Sequence, residues 1–184
     1  MSDLIGETLS KYHRGLVFVF TGNGKGKTTA AMGQALRAVG HGLKVLVIQF
    51  MKGKKYGEVT AAEKHLPGIT FYQCGLDSFV MRKNPAPVDV DLAQQGLSLA
   101  REALSSGDYN LVILDEINVA MDFDLVFADD VVEMIKGRSP AVDVILTGRY
   151  APPEILELAD TVSEIQEIKH HYAKGIKERA GVEY

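Results

Sequence analysis

Residues 16–29 read LVFVFTGNGKGKTT: an apolar run, a glycine-rich turn, then Lys27 and Thr28 at the head of a stretch with helical spacing. No other segment constrains the fold as much. Glycines permit positive φ and let backbone N–H groups approach an anion with no Cβ in the way. A helix starting near Lys27 aims its N-terminal dipole into the same turn. Lys27 would then bridge phosphates as a point charge, and the Thr28 hydroxyl would ligate Mg²⁺. The turn matches G-x-x-x-x-G-K-[ST] at Gly26, Lys27 and Thr28, but Thr21 stands where the first glycine is expected, and Gly22 and Gly24 lie inside the loop. A dinucleotide G-x-G-x-x-G would need glycine at Lys27, which excludes that reading.

The rest of the chain repeats the same rhythm. Leu16–Phe20, Leu43–Phe50, Ile69–Gln73, Leu111–Leu114, Val142–Leu146 and Thr161–Ile165 read as strands, most of them continuously apolar, as strands covered on both faces are. Between them, Thr28–Val39 places Met32, Ala35, Leu36 and Val39 on one helical face. Asp91 with Gln94 predicts a capped helix start, followed by a stripe through Leu92, Gly96, Ala100, Ala103 and Leu104. A third helix is expected over about Val126–Ile135 and a short fourth after Pro152 and Pro153. Residues Cys74–Val90, with Pro85 and Pro87 and no period, read as a long loop. Strands alternating with helices imply right-handed crossovers and a layered α/β domain, with ligands at the carboxyl ends of the strands.

At 184 residues the prior is one domain, and the whole chain is read as such. The net charge of −4 argues against a general affinity for nucleic acid or anionic membrane. Charge is uneven, however. Thr21–Lys64 holds eight Lys+Arg against two Asp+Glu, whereas Ser105–Glu167 holds three against fourteen, so an anionic ligand is expected near the first third. Cys74 is the only cysteine, which rules out an intrachain disulfide and fits a reducing compartment. No apolar run approaches the roughly 20 residues that span a bilayer, and the first residues show no apolar leader core, so a cytoplasmic location is expected.

Two further turns carry chemistry. Leu111–Glu116, LVILDE, is an apolar strand that delivers Asp115 and Glu116 at its carboxyl end, the usual source of carboxylate oxygen for Mg²⁺ beside a phosphate loop. Adjacent side chains on an extended chain point apart, so the two should have different roles. Thr147-Gly148-Arg149 follows another apolar strand and would bring Arg149 to the phosphates for bidentate hydrogen bonds, a surface arginine being the bland reading. Lys52, Lys54 and Lys55 read equally well as phosphate attractors or as a solvated basic loop. His170-His171 is a poor metal pair, because adjacent side chains rarely share one ion. Phe79, Val80 and Met81 in the long loop read either as a cover for a flat apolar ligand or, the better reading, as ordinary packing.

TGNGKGKTT, with VIQFMKG (Val47–Gly53), LDEIN (Leu114–Asn118), LTGRYAP (Leu146–Pro152) and the ending GIKERAGVEY, resembles the P-loop type of ATP:cob(I)alamin (corrinoid) adenosyltransferase from about Gly15 to Tyr184. The resemblance implies a P-loop NTPase-like (RecA-like) three-layer α/β fold with a mostly parallel central sheet, preceded by an N-terminal extension (residues 1–14) and ending in a C-terminal tail (168–184). It implies that Co(I) of a reduced corrinoid attacks C5′ of ATP and frees triphosphate, with ATP reversed relative to ordinary NTPases. By motif, Gly22, Asn23, Gly24, Lys25, Gly26, Lys27, Thr28 and Thr29 would bind ATP, and Arg149 would contact it. Thr28, Asp115 and Glu116 would serve Mg²⁺, with Lys27, Thr28 and Glu116 central to catalysis. Phe79 matches the first of an aromatic pair that packs beneath the corrin to displace the lower axial ligand, and Met81 stands at the second position. The resemblance further implies a homodimer in which the N-terminal segment covers the neighbour's site, and a flavoprotein reductase as electron-supplying partner. A RecA-like ATPase, which would turn over ATP without corrinoid, and a small-molecule kinase, which would move the γ-phosphoryl group, are the competing readings.

Overall fold

The computed structural model describes residues 14–78, 80–82 and 84–184. Six strands form one parallel sheet: β1 (Val17–Thr21), β2 (Val45–Phe50), β3 (Ile69–Cys74), β4 (Leu111–Asp115), β5 (Asp143–Thr147) and β6 (Thr161–Glu164), in the order β3-β2-β4-β5-β1-β6. The helices are α1 (Lys27–Gly40), α2 (Gly57–His65), α3 (Pro87–Ser106), α4 (Ile117–Asp122), α5 (Ala128–Lys136) and α6 (Pro153–Leu158), and a 3₁₀ turn spans His171–Lys174. None of these helices is long and apolar enough to cross a membrane.

The continuous apolar runs have the cause their composition implies. Along β4, Val112 and Leu114 face a core shared with α3 and α5, while Leu111 and Ile113 face a second core beneath α1. β5 divides likewise, with Val144 and Leu146 on one side and Ile145 on the other. A strand sandwiched between helix layers has no solvent face, so its central positions are all apolar and polar residues stand only at its ends. Each fully buried Ile or Leu contributes on the order of 1.5–3 kcal/mol. The central strand ends are therefore a stiff platform for the turns that leave them.

Several helical expectations are corrected. α1 buries Ala31, Ala35 and Ala38, whereas Leu36 is 56% exposed. Small side chains let this helix lie close to the sheet, and a leucine would hold it off. α3 begins at Pro87, within the stretch read as a loop, and not at Asp91: Pro87 takes the first turn, where its missing N–H costs nothing. Gln94 does not cap but donates to the Leu125 carbonyl at 2.9 Å. α2 and α4 were not anticipated, and α5 starts at Ala128, slightly later than expected. The N-terminal extension lies outside the described residues up to position 13.

Candidate active site

The sheet order places β5 between β4 and β1, so the turns leaving these three strands meet at one edge of the molecule. The phosphate loop runs from Gly22 to the N-terminus of α1. Gly26, at φ 119°, is the residue before the helix, a conformation that costs a residue with a Cβ on the order of a kcal/mol or more. Gly24 packs against the chain leaving β6: its N–H donates to the Ile165 carbonyl at 2.7 Å, and a Cβ there would lie 2.7 Å from backbone atoms of Ile165 and Gln166. The Lys27 ammonium donates to the carbonyls of Gly22 (2.8 Å) and Gly24 (2.7 Å). Burial pulls its pKa below the ordinary lysine value, and Glu116 opposes that pull.

Asp115 closes β4 and is fully buried. Its Oδ1 accepts from the hydroxyls of Thr28 (2.8 Å) and Thr147 (2.7 Å); its Oδ2 accepts from Lys52 Nζ (2.7 Å) and Gln49 Nε2 (3.1 Å). Burial alone would raise its pKa, but the Lys52 charge and the three side-chain hydrogen bonds from Lys52, Thr147 and Thr28 outweigh it and hold the carboxyl below the usual range. Burial likewise acts to lower the Lys52 pKa, and Asp115 and Glu116 overcome it, so the ammonium is held above its ordinary value. Gln49 is oriented by its neighbours, since its Oε1 accepts from Gln73 Nε2 at 3.1 Å and its Nε2 therefore faces Asp115.

Glu116 differs. It adopts the left-handed conformation (φ 63°), its N–H donating to Thr147 Oγ1 at 3.0 Å, and its carboxylate lines the open cavity with no hydrogen-bond partner among the described residues. Burial and then the Asp115 charge push its pKa up. The neighbouring carboxylates thus have separate environments, because the strand ends at Asp115 and the left-handed turn at Glu116 sends its side chain elsewhere.

Around them lies a cavity of about 950 Å³. Residues 23–29, Lys52, Glu116 and Arg149 all line it. Arg149 reaches the loop itself, donating to the Asn23 carbonyl at 3.3 Å. Gly148, in a left-handed conformation, is held by Asn118, whose Nδ2 donates to its carbonyl at 3.2 Å. Of the basic loop residues, Lys52 enters the site; Lys55 pairs with Glu63 at the surface, and Lys54 lies over the Tyr184 ring. The C-terminal tail forms part of the wall: Lys25 Nζ donates to the Val182 carbonyl at 2.6 Å, and Glu183 lies 3.8 Å from the same ammonium.

Met81 is 65% exposed and lies outside the cavity lining, which its neighbour Arg82 joins. Phe79 lies outside the described residues. His170 and His171 stack with ring centroids 4.4 Å apart, and His171 lies 3.5 Å from Glu183. Sequence reasoning missed Gln49, Gln73, the bridging hydroxyl of Thr147 and the tail. The signal available for Gln49 was a lone amide in the otherwise apolar run VLVIQF.

No group of three or more His, Cys, Asp or Glu side chains suited to a metal is found among the described residues. One free carboxylate and one hydroxyl still suit Mg²⁺, which ordinarily takes one or two protein ligands and completes its shell with water and phosphate oxygens.

Known proteins resemble this chain in fold and in sequence. The solved structure of the RadB recombinase superposes with a TM-score of 0.53 over 86% of this chain and 77% of its own, at 14% identity, and so shares the RecA-like fold. The Corrinoid adenosyltransferase of Escherichia coli (strain K12) is 41% identical over 172 residues, covering 93% of this chain and 86% of its own. CobA, the Corrinoid adenosyltransferase of Salmonella typhimurium (strain LT2), is 38% identical with the same coverage. Residues 13–184 match the family described as ATP:corrinoid adenosyltransferase BtuR/CobO/CobP, and with that span and those identities the chain belongs to it.

Proposed function

We propose that the chain transfers the 5′-deoxyadenosyl group of ATP to Co(I) of a reduced corrinoid and releases triphosphate. The observation that carries this reading is a phosphate cradle rich in fixed positive charge, from Lys27, Lys52 and Arg149, within a family of ATP:corrinoid adenosyltransferases. In the transfer, the cobalt electron pair forms the Co–C5′ bond as the C5′–O bond breaks, and that bond's pair leaves on the triphosphate. Charge accumulates on the leaving group, so donors aimed at the triphosphate stabilise the transition state more than the ground state. No protein nucleophile is required. The reversed placement of ATP follows from this reading, because the sugar carbon and not the terminal phosphorus must face the acceptor.

The loop amides of Gly22–Thr29 and the Lys27 ammonium would hold the triphosphate, with Arg149 beside Asn23 reaching the same oxygens. Glu116 and Thr28 would hold Mg²⁺, which when bound neutralises part of the triphosphate charge. The loop after β3 borders the cavity through Arg82, and Phe79 and Met81 on that loop would pack beneath the corrin to exclude the lower axial ligand. A homodimer, a flavoprotein reductase as electron source and a cytoplasmic location complete the reading.

The test is incubation with ATP, Mg²⁺ and chemically reduced cobalamin. The expected products are the light-sensitive adenosyl corrinoid and stoichiometric triphosphate. Release of ADP or phosphate without the adenosyl product would overturn the proposal in favour of an ATPase or kinase.

A further inference from the structure

In P-loop NTPases the divalent cation lies between the loop Ser/Thr hydroxyl and the strand-end aspartate. Here those two groups bond directly to each other, and an ammonium contacts both. Lys52 Nζ is 2.7 Å from Asp115 Oδ2 and 3.5 Å from Thr28 Oγ1, and it faces the cavity from the side of β2. Lys52 follows Met51, which takes a left-handed conformation (φ 58°) directly after β2. Asp115 has about four lone-pair sites and receives four donors, so it has none to offer a metal. Glu116, one residue on, has both oxygens available among the described residues.

We propose that Lys52 is a positioning residue that stands in for a metal ion at Asp115, keeping that carboxylate as a fixed acceptor for Thr28 and Thr147 and leaving Glu116 to receive the cation that accompanies ATP. The inference rests on the reading that a divalent cation accompanies ATP; it adds what decides between the two carboxylates. Removing the ammonium leaves a buried carboxylate without its counter-charge, an arrangement that proteins avoid by taking up a proton or a cation. With the Thr28 hydroxyl beside it, the uncovered Oδ2 would complete a second cation site, one that needs no nucleotide.

Mn²⁺ binding, followed by the loss of the free-ion electron paramagnetic resonance signal in the absence of nucleotide, tests this. Wild type and Lys52→Arg, which keeps the charge, are expected to bind Mn²⁺ weakly. Lys52→Met is expected to bind at least about tenfold more tightly, and the gain should vanish in Lys52→Met/Asp115→Asn. Circular dichroism establishes that each variant is folded; should Lys52→Met fail to fold, Lys52→Gln, which keeps a donor without charge, is expected to show the same gain. Folded, uncharged variants that bind Mn²⁺ no better than wild type overturn the proposal, as does a gain that survives Asp115→Asn. Failure of the underlying cation reading has a different signature, namely wild type binding ATP equally well with and without Mn²⁺.

Discussion

The hydroxyl of Thr28 donates to Asp115 Oδ1 at 2.8 Å, tying the first helical turn after the phosphate loop to the end of a strand that is not β1's neighbour. Thr147, at the end of the intervening β5, donates to the same oxygen at 2.7 Å and accepts the Glu116 N–H. With its proton directed at Asp115 and one lone pair facing the Lys52 ammonium at 3.5 Å, the Thr28 hydroxyl keeps a second lone pair for a ligand. The cavity floor is thus fixed by a few side-chain bonds among three strand ends.

Thr147→Val keeps the shape of the side chain and removes both bonds. The orphaned acceptor and donor should cost about 1–3 kcal/mol. A lower urea midpoint with an unchanged m-value is the expected readout. Turnover should fall as well, because the backbone of Glu116 loses the contact that holds it left-handed. An unaltered midpoint would show that the hydroxyl is replaceable by water.

Lys27→Met removes the cation that the loop carbonyls of Gly22 and Gly24 hold. The loss of one preorganised charged donor predicts a fall in turnover of about 10²–10³-fold. Because the side chain is assigned to the leaving group, affinity for inorganic triphosphate should fall with it. Calorimetric titration with triphosphate checks this, and undiminished binding would remove Lys27 from the role given to it.

The layered fold was legible because doubly covered strands carry a nearly continuous apolar signature, as LVIL and, but for Asp143, VDVIL do here. The phosphate loop, Glu116 and Arg149 were legible because each lies in or directly after a turn that leaves such a strand. α2 escaped notice because only Val59 and Ala62 of its nine residues are buried, too few to set a period. The start of α3 was obscured by reading Pro87 as a breaker, although proline is favoured in a first turn. The role of Gln49 was hidden for another reason, although its lone amide stood out. Its partner Asp115 is set by the β2–β4 register, a long-range pairing that no local pattern encodes.

Gly24→Ala would place a Cβ 2.7 Å from the backbone of residues 165 and 166. Backbone atoms cannot yield as a flexible side chain can, so the loop must lift from the end of β6. Weaker ATP binding with little change in global stability is expected, since the strain falls on a surface loop. Equilibrium dialysis with ATP beside a thermal melt separates the two effects; a large loss of stability with intact ATP binding would contradict the assignment.

Burial pushes the Cys74 thiol up to about 11, and the side chain is 3% exposed at the end of β3. Both the thiolate fraction and access are therefore low at pH 8. A thiol-specific disulfide reagent should leave the native protein unmodified over a period that gives complete labelling in denaturant. Rapid native labelling would mean that β3 and the adjoining face of α3 open readily.

Glu116 links the site to pH. Burial and the Asp115 charge raise its pKa above the ordinary 4.5 in the folded chain. Between those two values the folded state binds more protons than the unfolded one, so stability falls as pH rises through the interval and the penalty stays constant above it. Glutamine at this position cannot ionise. Glu116→Gln should therefore raise Tm by about 2–4 °C at pH 7–8, for each kcal/mol of penalty removed in a chain of this length. The advantage should shrink on acidification and be absent below about pH 4.5, where both states of the wild-type side chain are protonated. The same variant should lose Mg²⁺-dependent turnover, the common trade of stability against function at a strained site. Melts at pH 4, 5, 7 and 8 decide the matter: an advantage that persists at pH 4 would have to come from packing, and none at pH 7 would mean that the carboxylate is solvated well enough to ionise freely.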